Sequence, residues 1–323
     1  MECNQKNLRM LSIAGSKGAC AKALEEIFDK DDNSILVTAD VLHFSNLVNL
    51  QEKFPDRVLN VGIAEQNMIG IAAGLAKDKW NVFVTTYANF VTMRSFEQVR
   101  LNLGYMQFPV KIIGSSAGLG MGVLGNTHYG IEDMSLMRAI PGMTVLSPAD
   151  GLETVKAVLA AAEYDHPLYL RLTGEMNQGI VYREDYDFRI GVPVEVHKGS
   201  DVVLFATGTM VSQALKAATI LEERHISACV VNVHTIKPLK KEVIFSFLEG
   251  KRLYASIEEH TVIGGLGSAI MELFEGECVC PGMRIGIPDT FLKVGSYNYL
   301  LEQCGLLSEQ IAGRVLTALE KER

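Results

Sequence analysis

The sequence of 323 residues lacks the features of several functional classes. It has no apolar run of the roughly 18 residues that a membrane-spanning helix needs, and its polar N-terminus lacks the apolar segment of a secretory signal. Basic residues are in the minority, with 30 lysines and arginines against 38 acidic residues, which gives a net charge of −8. We therefore expect a cytoplasmic protein that binds neither membranes nor nucleic acids.

Cysteine is sparse and is not arranged for metal binding. The six cysteines are scattered, no CxxC pair occurs, and Cys278 and Cys280 have no second His or Cys pair nearby to complete a zinc site. Reduced thiols are typical of cytoplasmic proteins. The sequence predicts no metal site on this chain.

Strand-length apolar runs alternate with amphipathic helical patterns along the chain. Continuous apolar strands between helices are typical of parallel sheets that are covered on both faces, so the pattern predicts a doubly wound α/β fold. The predicted strands are Ile35–Thr38, Val82–Thr86, Val110–Ile113, Leu168–Leu172, Val202–Ala206, Cys229–Val233 and Leu253–Ile257. The predicted helices are Gly18–Phe28, Ile69–Ala76, Leu152–Ala162, Val211–Arg224 and Lys241–Leu248.

The length of the chain suggests about two domains. A polar stretch rich in Gly, Asp and Glu, Thr173–Lys198, is typical of a linker. We predict two doubly wound, mostly parallel-sheet domains, at residues 1–180 and 190–323.

One acidic residue, Glu65, follows the short predicted strand Val58–Val61 and lies in the first turn of a predicted helix rich in small residues. A carboxylate among small and apolar neighbours is poorly hydrated, which favours a raised pKa and allows the group to donate a hydrogen bond. The alternative is an ordinary N-terminal acid that stabilises the helix dipole. The local pattern alone does not decide between the two.

The string GIAEQNM followed by GIAAGLA resembles the pyrimidine-binding domain of the transketolase family of thiamine-diphosphate enzymes. IKPL and SIEEHTVIGGLGS, near residues 236–268, are similar to the C-terminal domain of that family, and the resemblance runs from about Leu8 to Thr317. It implies that Glu65 contacts the ring nitrogen N1′ of the aminopyrimidine. A proton shared there would let the amino group of the cofactor remove the C2 proton, so Glu65 is a predicted catalytic residue.

The resemblance also assigns residues that surround the cofactor. Phe90 and Phe96 would wall the aminopyrimidine, and Met93 stands where a third aromatic ring often lies. Asp40 and Val41 end the first strand, at the carboxyl edge where α/β sheets place ligands. Without the resemblance, Phe90, Met93 and Phe96 would be interpreted as one face of a helix that packs in the core. Asp40 would be interpreted as an acidic residue of a turn or a helix cap.

A glycine-rich loop, GLGMGVLGNTHYG, contains no lysine and is therefore not a P-loop. The family has a similar loop that ends in Thr-His, and its histidine reaches the reacting carbonyl or hydroxyl. His128 matches this position and is the second predicted catalytic residue. His43 and Ser45, on the loop after the first strand, are predicted to face the substrate.

Three positions depart from the pattern of transketolases that use phosphorylated sugars. Leu124 stands where those enzymes have an aspartate, and Gly174 and Ser16 stand near expected arginines. The loss of bidentate arginine donors weakens phosphate recognition. Either the acceptor lacks a terminal phosphate, or Lys17 and Arg171 bind it in a different way.

No Gly-Asp-Gly motif occurs, although the family uses one to hold the diphosphate through a metal ion. The resemblance therefore implies a split transketolase, in which a separate N-terminal subunit supplies the diphosphate site and binds Mg²⁺ or Ca²⁺. It also implies a dimer of heterodimers, small sugar substrates and transfer of a two-carbon ketol unit, and it makes His260 structural or interfacial. The alternatives are the β subunit of a 2-oxo acid dehydrogenase, a deoxyxylulose-phosphate-synthase-like enzyme and a non-catalytic subunit.

Overall fold

The computed structural model describes residues 3–174, 176–276 and 280–321. Cys278, considered above as a metal ligand, lies outside these residues. Within the described chain, no helix is long and apolar enough to cross a membrane. The same residues contain no cluster of three or more His, Cys, Asp or Glu side chains that could hold a metal ion.

The strands alternate with helices, as the sequence predicts. The strands are β1 (Ser34–Thr38), β2 (Val58–Asn60), β3 (Asn81–Tyr87), β4 (Lys111–Ala117), β5 (Thr144–Leu146), β6 (Leu168–Thr173), β7 (Val194–His197), β8 (Val202–Ala206), β9 (Ala228–Asn232), β10 (Thr235–Lys237), β11 (Leu253–Thr261) and β12 (Gly282–Ile287). The helices are α1 (Gln5–Lys30), α2 (Val48–Lys53), α3 (Glu65–Lys77), α4 (Phe96–Gln98), α5 (Asp133–Arg138), α6 (Gly151–Ala162), α7 (Met210–Glu222), α8 (Lys241–Leu248), α9 (Leu266–Glu272), α10 (Tyr297–Gln303) and α11 (Ser308–Lys321). Short π-helical segments, Phe90–Arg94 and Val99–Tyr105, flank α4.

The described chain forms two mixed, mostly parallel sheets. The seven-stranded sheet has the order β10-β5-β6-β4-β3-β1-β2, and the five-stranded sheet has the order β12-β11-β8-β9-β7. Only the edge strands β10 and β7 run antiparallel to their neighbours. The prediction of a doubly wound α/β fold is therefore confirmed.

Alternating residues of each strand supply the cores on the two faces of each sheet, as the period of two requires. In β1, Leu36 belongs to the cluster under α1 and α6, while Ile35 and Val37 belong to the cluster under α3. Both clusters continue into the second sheet, where Leu204 and Phe205 of β8 separate in the same way. Each hydrophobic cluster therefore contains buried residues from both sheets.

One strand crosses between the two units. β10 follows β9 in the sequence, yet it pairs with β5, so that Thr235 lies opposite Leu146 at the edge of the first sheet. The strands predicted from the sequence do not include β5 or β10. The division of the chain at residues 1–180 and 190–323 stays a prediction.

Candidate active site

Glu65 is the first residue of α3, and its side chain is only 3% exposed. The carboxylate oxygen Oε1 accepts a hydrogen bond of 2.7 Å from Nη1 of Arg94, whose side chain is 48% exposed. The burial of Glu65 agrees with the sequence analysis, whereas the ion pair was not predicted. A charge-assisted hydrogen bond of this kind satisfies a carboxylate that is out of water.

Arg94 also connects Glu65 to the predicted ring-binding residues. Its guanidinium carbon lies 4.2 Å from the centroid of the Phe90 ring, within the range of a cation–π contact. The Phe90 ring in turn lies 5.4 Å from the ring of His128, in an edge-to-face arrangement. The two predicted catalytic residues are thus joined by a short series of side-chain contacts.

These rings belong to an aromatic cleft, which we define as His43, Phe44, Tyr87, Phe90 and His128. The Tyr87 ring lies 5.7 Å from Phe90, 5.9 Å from His128 and 6.2 Å from Phe44, and His43 lies 5.8 Å from Phe44. His43 is therefore connected to Phe90 and His128 through the rings of Phe44 and Tyr87. Phe44 is 58% exposed, so the cleft opens to the surface.

Sequence reasoning missed four residues of this site, Phe44, Tyr87, Asn89 and Arg94. Tyr87 ends β3 at the carboxyl edge of the sheet, which was the available signal, and burial raises the pKa of its hydroxyl. Asn89 donates from Nδ2 to the backbone oxygen of Thr127 at 2.7 Å. The sequence gives no indication that Arg94 belongs to the site, because a single arginine next to apolar residues is common in helices.

Asp40 and Asn60 join the ends of β1 and β2. Asn60 donates to the Asp40 carboxylate at 3.0 Å and accepts from the Asp40 N–H at 3.1 Å. This reciprocal pair holds Asp40 in a left-handed conformation, with φ of 59°. Val41 is buried beside it, and Ser45 is buried with no hydrogen-bond partner for Oγ in the described chain.

The remaining predicted cofactor residues have different surroundings. Phe96 is half-buried and packs against the core beneath α3. Met93 is 43% exposed. Among the described residues, the Phe96 ring makes no ring contact with the aromatic cleft, and the roles of Phe96 and Met93 stay predictions.

Arg171 lies outside the cleft. Its side chain is 1% exposed, and Nε donates to Asp133 Oδ2 at 2.7 Å. Nη2 donates to the backbone oxygens of Gly130 and Glu259, at 3.0 and 2.8 Å. These contacts join the two sheets and argue against the predicted contact with substrate, because the guanidinium is buried and engaged.

Lys17 has a position nearer to the cleft. It lies on α1, and Nζ is 3.5 Å from Oγ of Ser116, close to the carboxyl end of β4. Ser16, one of the positions that depart from the family, is buried and donates to the Thr173 backbone oxygen at 3.0 Å. Leu124, in the His128 loop, is 46% exposed.

His260 is fully buried between the two sheets. Its Nδ1 lies 2.7 Å from the Thr261 backbone oxygen, and its Nε2 accepts the Ser135 N–H at 3.3 Å. Donation by one ring nitrogen and acceptance by the other require the neutral ring. Burial lowers the pKa of His260 to about 4, and the prediction of a structural histidine agrees with these contacts.

Comparison with known proteins identifies the two domains of the chain. The chain matches the transketolase pyrimidine-binding domain over residues 15–177 and the transketolase C-terminal domain over residues 192–311. It is 38% identical to a 6-deoxy-6-sulfo-D-fructose transketolase subunit of a Clostridium species, over 89% of each chain. It is 33% identical to one of the subunits of the apulose-4-phosphate transketolase of Phocaeicola vulgatus, covering 96% of this chain and all of the relative.

A solved structure extends the comparison. A split-gene transketolase, described as an inactive β4 tetramer, superimposes with a TM-score of 0.85 at 34% identity and covers 95% of this chain and 99% of that one. The fold is that of the transketolases, which are thiamine-diphosphate-dependent transferases. The chain belongs to the transketolase family and corresponds to the C-terminal section of a split transketolase, as the sequence predicted.

Proposed function

We propose that this chain is the C-terminal subunit of a transketolase that transfers a two-carbon ketol unit from a ketose donor to an aldose acceptor. The observation that carries the proposal is the series of contacts from the buried carboxylate of Glu65, through Arg94 and Phe90, to His128. These side chains lie at the carboxyl edge of a parallel sheet, where α/β proteins bind ligands.

The residues present fit the aminopyrimidine end of thiamine diphosphate. A planar ring suits the cleft beside Phe90 and Tyr87, and Glu65 offers a carboxylate to a ring nitrogen. Two buried side-chain oxygens near the cleft, Ser45 Oγ and Asn89 Oδ1, have no hydrogen-bond partner in the described chain. Buried polar atoms without partners are uncommon and are expected where a ligand completes the site.

The cofactor supplies, when bound, the carbon nucleophile that attacks the donor carbonyl. Glu65 would share a proton with the pyrimidine nitrogen through Oε2, because Arg94 binds Oε1. Arg94 is half-exposed and can turn into solvent without stranding its charge. His128 would donate a hydrogen bond to the oxygen of the reacting sugar, where negative charge develops. Phe90 would hold the ring against Glu65.

A separate N-terminal subunit would complete the site. We propose that it holds the diphosphate and the metal ion, Mg²⁺ or Ca²⁺, because this chain has no Gly-Asp-Gly motif. Association between chains is supported by Ile63, which is 76% exposed beside Glu65, and by Gly70 and Gly74 on α3. A Cβ at either glycine would meet no atom within 4 Å, so this face of α3 is open to another chain. A dimer of heterodimers would use it.

The substrates are proposed to be small sugars. Relatives of similar identity are named for a sulfonated and a phosphorylated sugar, so the anionic group is expected to vary within the family. Lys17 is the candidate cation of this chain at the carboxyl edge of the sheet. His43 and Ser45 lie on the loop that borders the cleft.

The test is reconstitution with an N-terminal subunit that carries Gly-Asp-Gly. We expect the chain alone not to bind thiamine diphosphate and Mg²⁺ at micromolar concentrations in calorimetry, and the mixed subunits to bind it and to form a new ketose. Glu65→Ala should abolish turnover without unfolding the chain, and near-normal rates in that variant would refute the assignment. Pyruvate decarboxylation with reduction of an artificial electron acceptor would instead identify a 2-oxo acid dehydrogenase subunit.

A further inference from the structure

The loop that carries His128, residues 118–130, is held by the second sheet and its connections. Five of its 13 residues are glycine, which allows the backbone many conformations. At the tip, Asn126 Nδ2 donates to the Leu292 backbone oxygen at 2.6 Å. The Leu292 N–H donates back to Asn126 Oδ1 at 3.1 Å. This reciprocal pair fixes the tip of the loop against the segment 292–297.

A buried tyrosine makes the second attachment, next to the histidine. Tyr129 is 2% exposed, and its hydroxyl lies 2.9 Å from the Gly122 backbone oxygen and 3.0 Å from that of Lys293. The Gly295 N–H donates to the same Gly122 oxygen at 3.2 Å. The hydroxyl has one proton, which these two oxygens share; its loss would leave the Lys293 oxygen without this donor, whereas the Gly122 oxygen would keep the Gly295 N–H.

A buried carboxylate makes the third attachment, at the base of the loop. Glu259 Oε1 accepts the Leu119 N–H at 2.6 Å, and Oε2 accepts the hydroxyls of Thr209 and Tyr297 at 2.8 and 2.6 Å. At Gly118 the φ is 72°, and an added Cβ would lie 2.1 Å from Glu259 Oε1. The close approach of this carboxylate therefore requires glycine at position 118.

The histidine lies between these attachments. The backbone N–H of His128 donates to the Gly125 backbone oxygen at 2.9 Å, and its ring nitrogen Nδ1 lies 2.9 Å from Thr127 Oγ1. On the other side, Asn89 holds the Thr127 backbone oxygen. The backbone on both sides of His128 is thus fixed relative to Phe90 by groups that belong to both sheets.

We propose that Asn126, Tyr129 and Glu259, with the segment 292–297, form a loop clamp through which the C-terminal domain positions His128 in the aromatic cleft. These three are positioning residues and do not touch the substrate. The predicted effect on catalysis rests on the proposed function of His128, whereas the statement that the clamp holds the loop does not. It gives the C-terminal domain a role in the reaction that is additional to contacts between chains.

The test compares Tyr129→Phe and Asn126→Ala with a matched control, Tyr164→Phe. The control removes a hydroxyl that lies 3.0 Å from Thr144 Oγ1, outside the loop. In hydrogen–deuterium exchange of the full chain, we expect the amides of residues 118–130 to exchange about tenfold faster in the two clamp variants, the change expected from one or two hydrogen bonds of ordinary net strength. The control should leave that segment unchanged.

Kinetics of the reconstituted enzyme complete the test. The clamp variants should lose about tenfold in kcat/KM for the donor sugar, whereas the thiamine diphosphate concentration for half-maximal activity should not change, since Glu65 and Phe90 do not touch the clamp. Unchanged exchange in residues 118–130, or unchanged kcat/KM despite faster exchange, would overturn the inference. If the wild-type subunits transfer no ketol unit, the proposed function fails, and the exchange result still decides whether the clamp holds the loop.

Discussion

The pair formed by Glu65 and Arg94 predicts an asymmetry between two single substitutions. The carboxylate is 3% exposed and the guanidinium is 48% exposed. Removal of the charge on Glu65 leaves Arg94 free to enter water, whereas removal of Arg94 leaves a charged carboxylate buried without its partner. The two halves of one ion pair should therefore contribute unequally to stability.

The magnitudes follow from the surroundings of each group. Glu65→Gln keeps the size of the side chain and loses an ion pair with a solvated partner, so it should cost below about 1 kcal/mol. Arg94→Ala should cost about 3 kcal/mol, the low end of the range for stranding a buried charge. It also removes the contact between the guanidinium and the Phe90 ring, at 4.2 Å, which contributes about 0.5–1 kcal/mol.

Urea unfolding of the two variants and of the double variant, at one protein concentration, measures these differences. The double variant should recover most of the loss, because the buried carboxylate is gone and only the ring contact remains missing. The effects on activity should be the reverse of the effects on stability. Glu65→Gln should be inactive in the reconstituted enzyme, whereas Arg94→Ala should still turn over substrate. Equal destabilisation by the two single substitutions, or no recovery in the double variant, would refute the reasoning.

Three further predictions concern the junction between the sheets. The folded pKa of His260 lies below its ordinary value of 6.5, at about 4, so the stability it contributes is present above pH 6.5 and is lost as the pH falls through 4. The urea midpoint should therefore fall less between pH 7 and pH 5 in His260→Gln than in the wild type. An equal fall in both proteins would contradict this prediction. Gly118→Ala should cost at least about 2 kcal/mol in urea unfolding, because φ is positive and the new Cβ would meet Glu259, and a variant of wild-type stability would show that the loop can move aside. Arg171→Ala should cost about 3–5 kcal/mol, because it leaves Asp133 buried without its partner. If that variant kept its stability and lost only affinity for the sugar, the substrate contact predicted from sequence would be restored.

Several helices and strands were predictable because their signal is local, whereas α11, with 14 residues, and β12, with six, were not predicted. The strand predicted at Val202–Ala206 and the helix predicted at Lys241–Leu248 have the observed bounds. Strand β4 continues to Ala117 beyond its predicted end, since Gly114 and Ser115 break the apolar run while they pair with neighbouring strands. The strands β5 and β10 were not predicted, although the equally short β2 was predicted at Val58–Val61.

The residues of the site were predictable only in part. Glu65, Phe90 and His128, which the structure connects through Arg94 and ring contacts, could be proposed from the sequence because they lie in motifs along the chain. Arg94 and Tyr87 were missed, because nothing in their neighbours along the sequence indicates that they contact these three.

By itself, the sequence determined the fold class, the family and the buried acid at the start of α3, because the periodicity of apolar residues and short contiguous motifs are properties of the chain order. Tertiary structure alone decided that Arg171 joins the two sheets, that Arg94 pairs with Glu65, and that the second unit holds the His128 loop. Each of these depends on groups separated by about 30 to 170 residues, and the pairing of such groups depends on how the sheets pack, which no local pattern encodes.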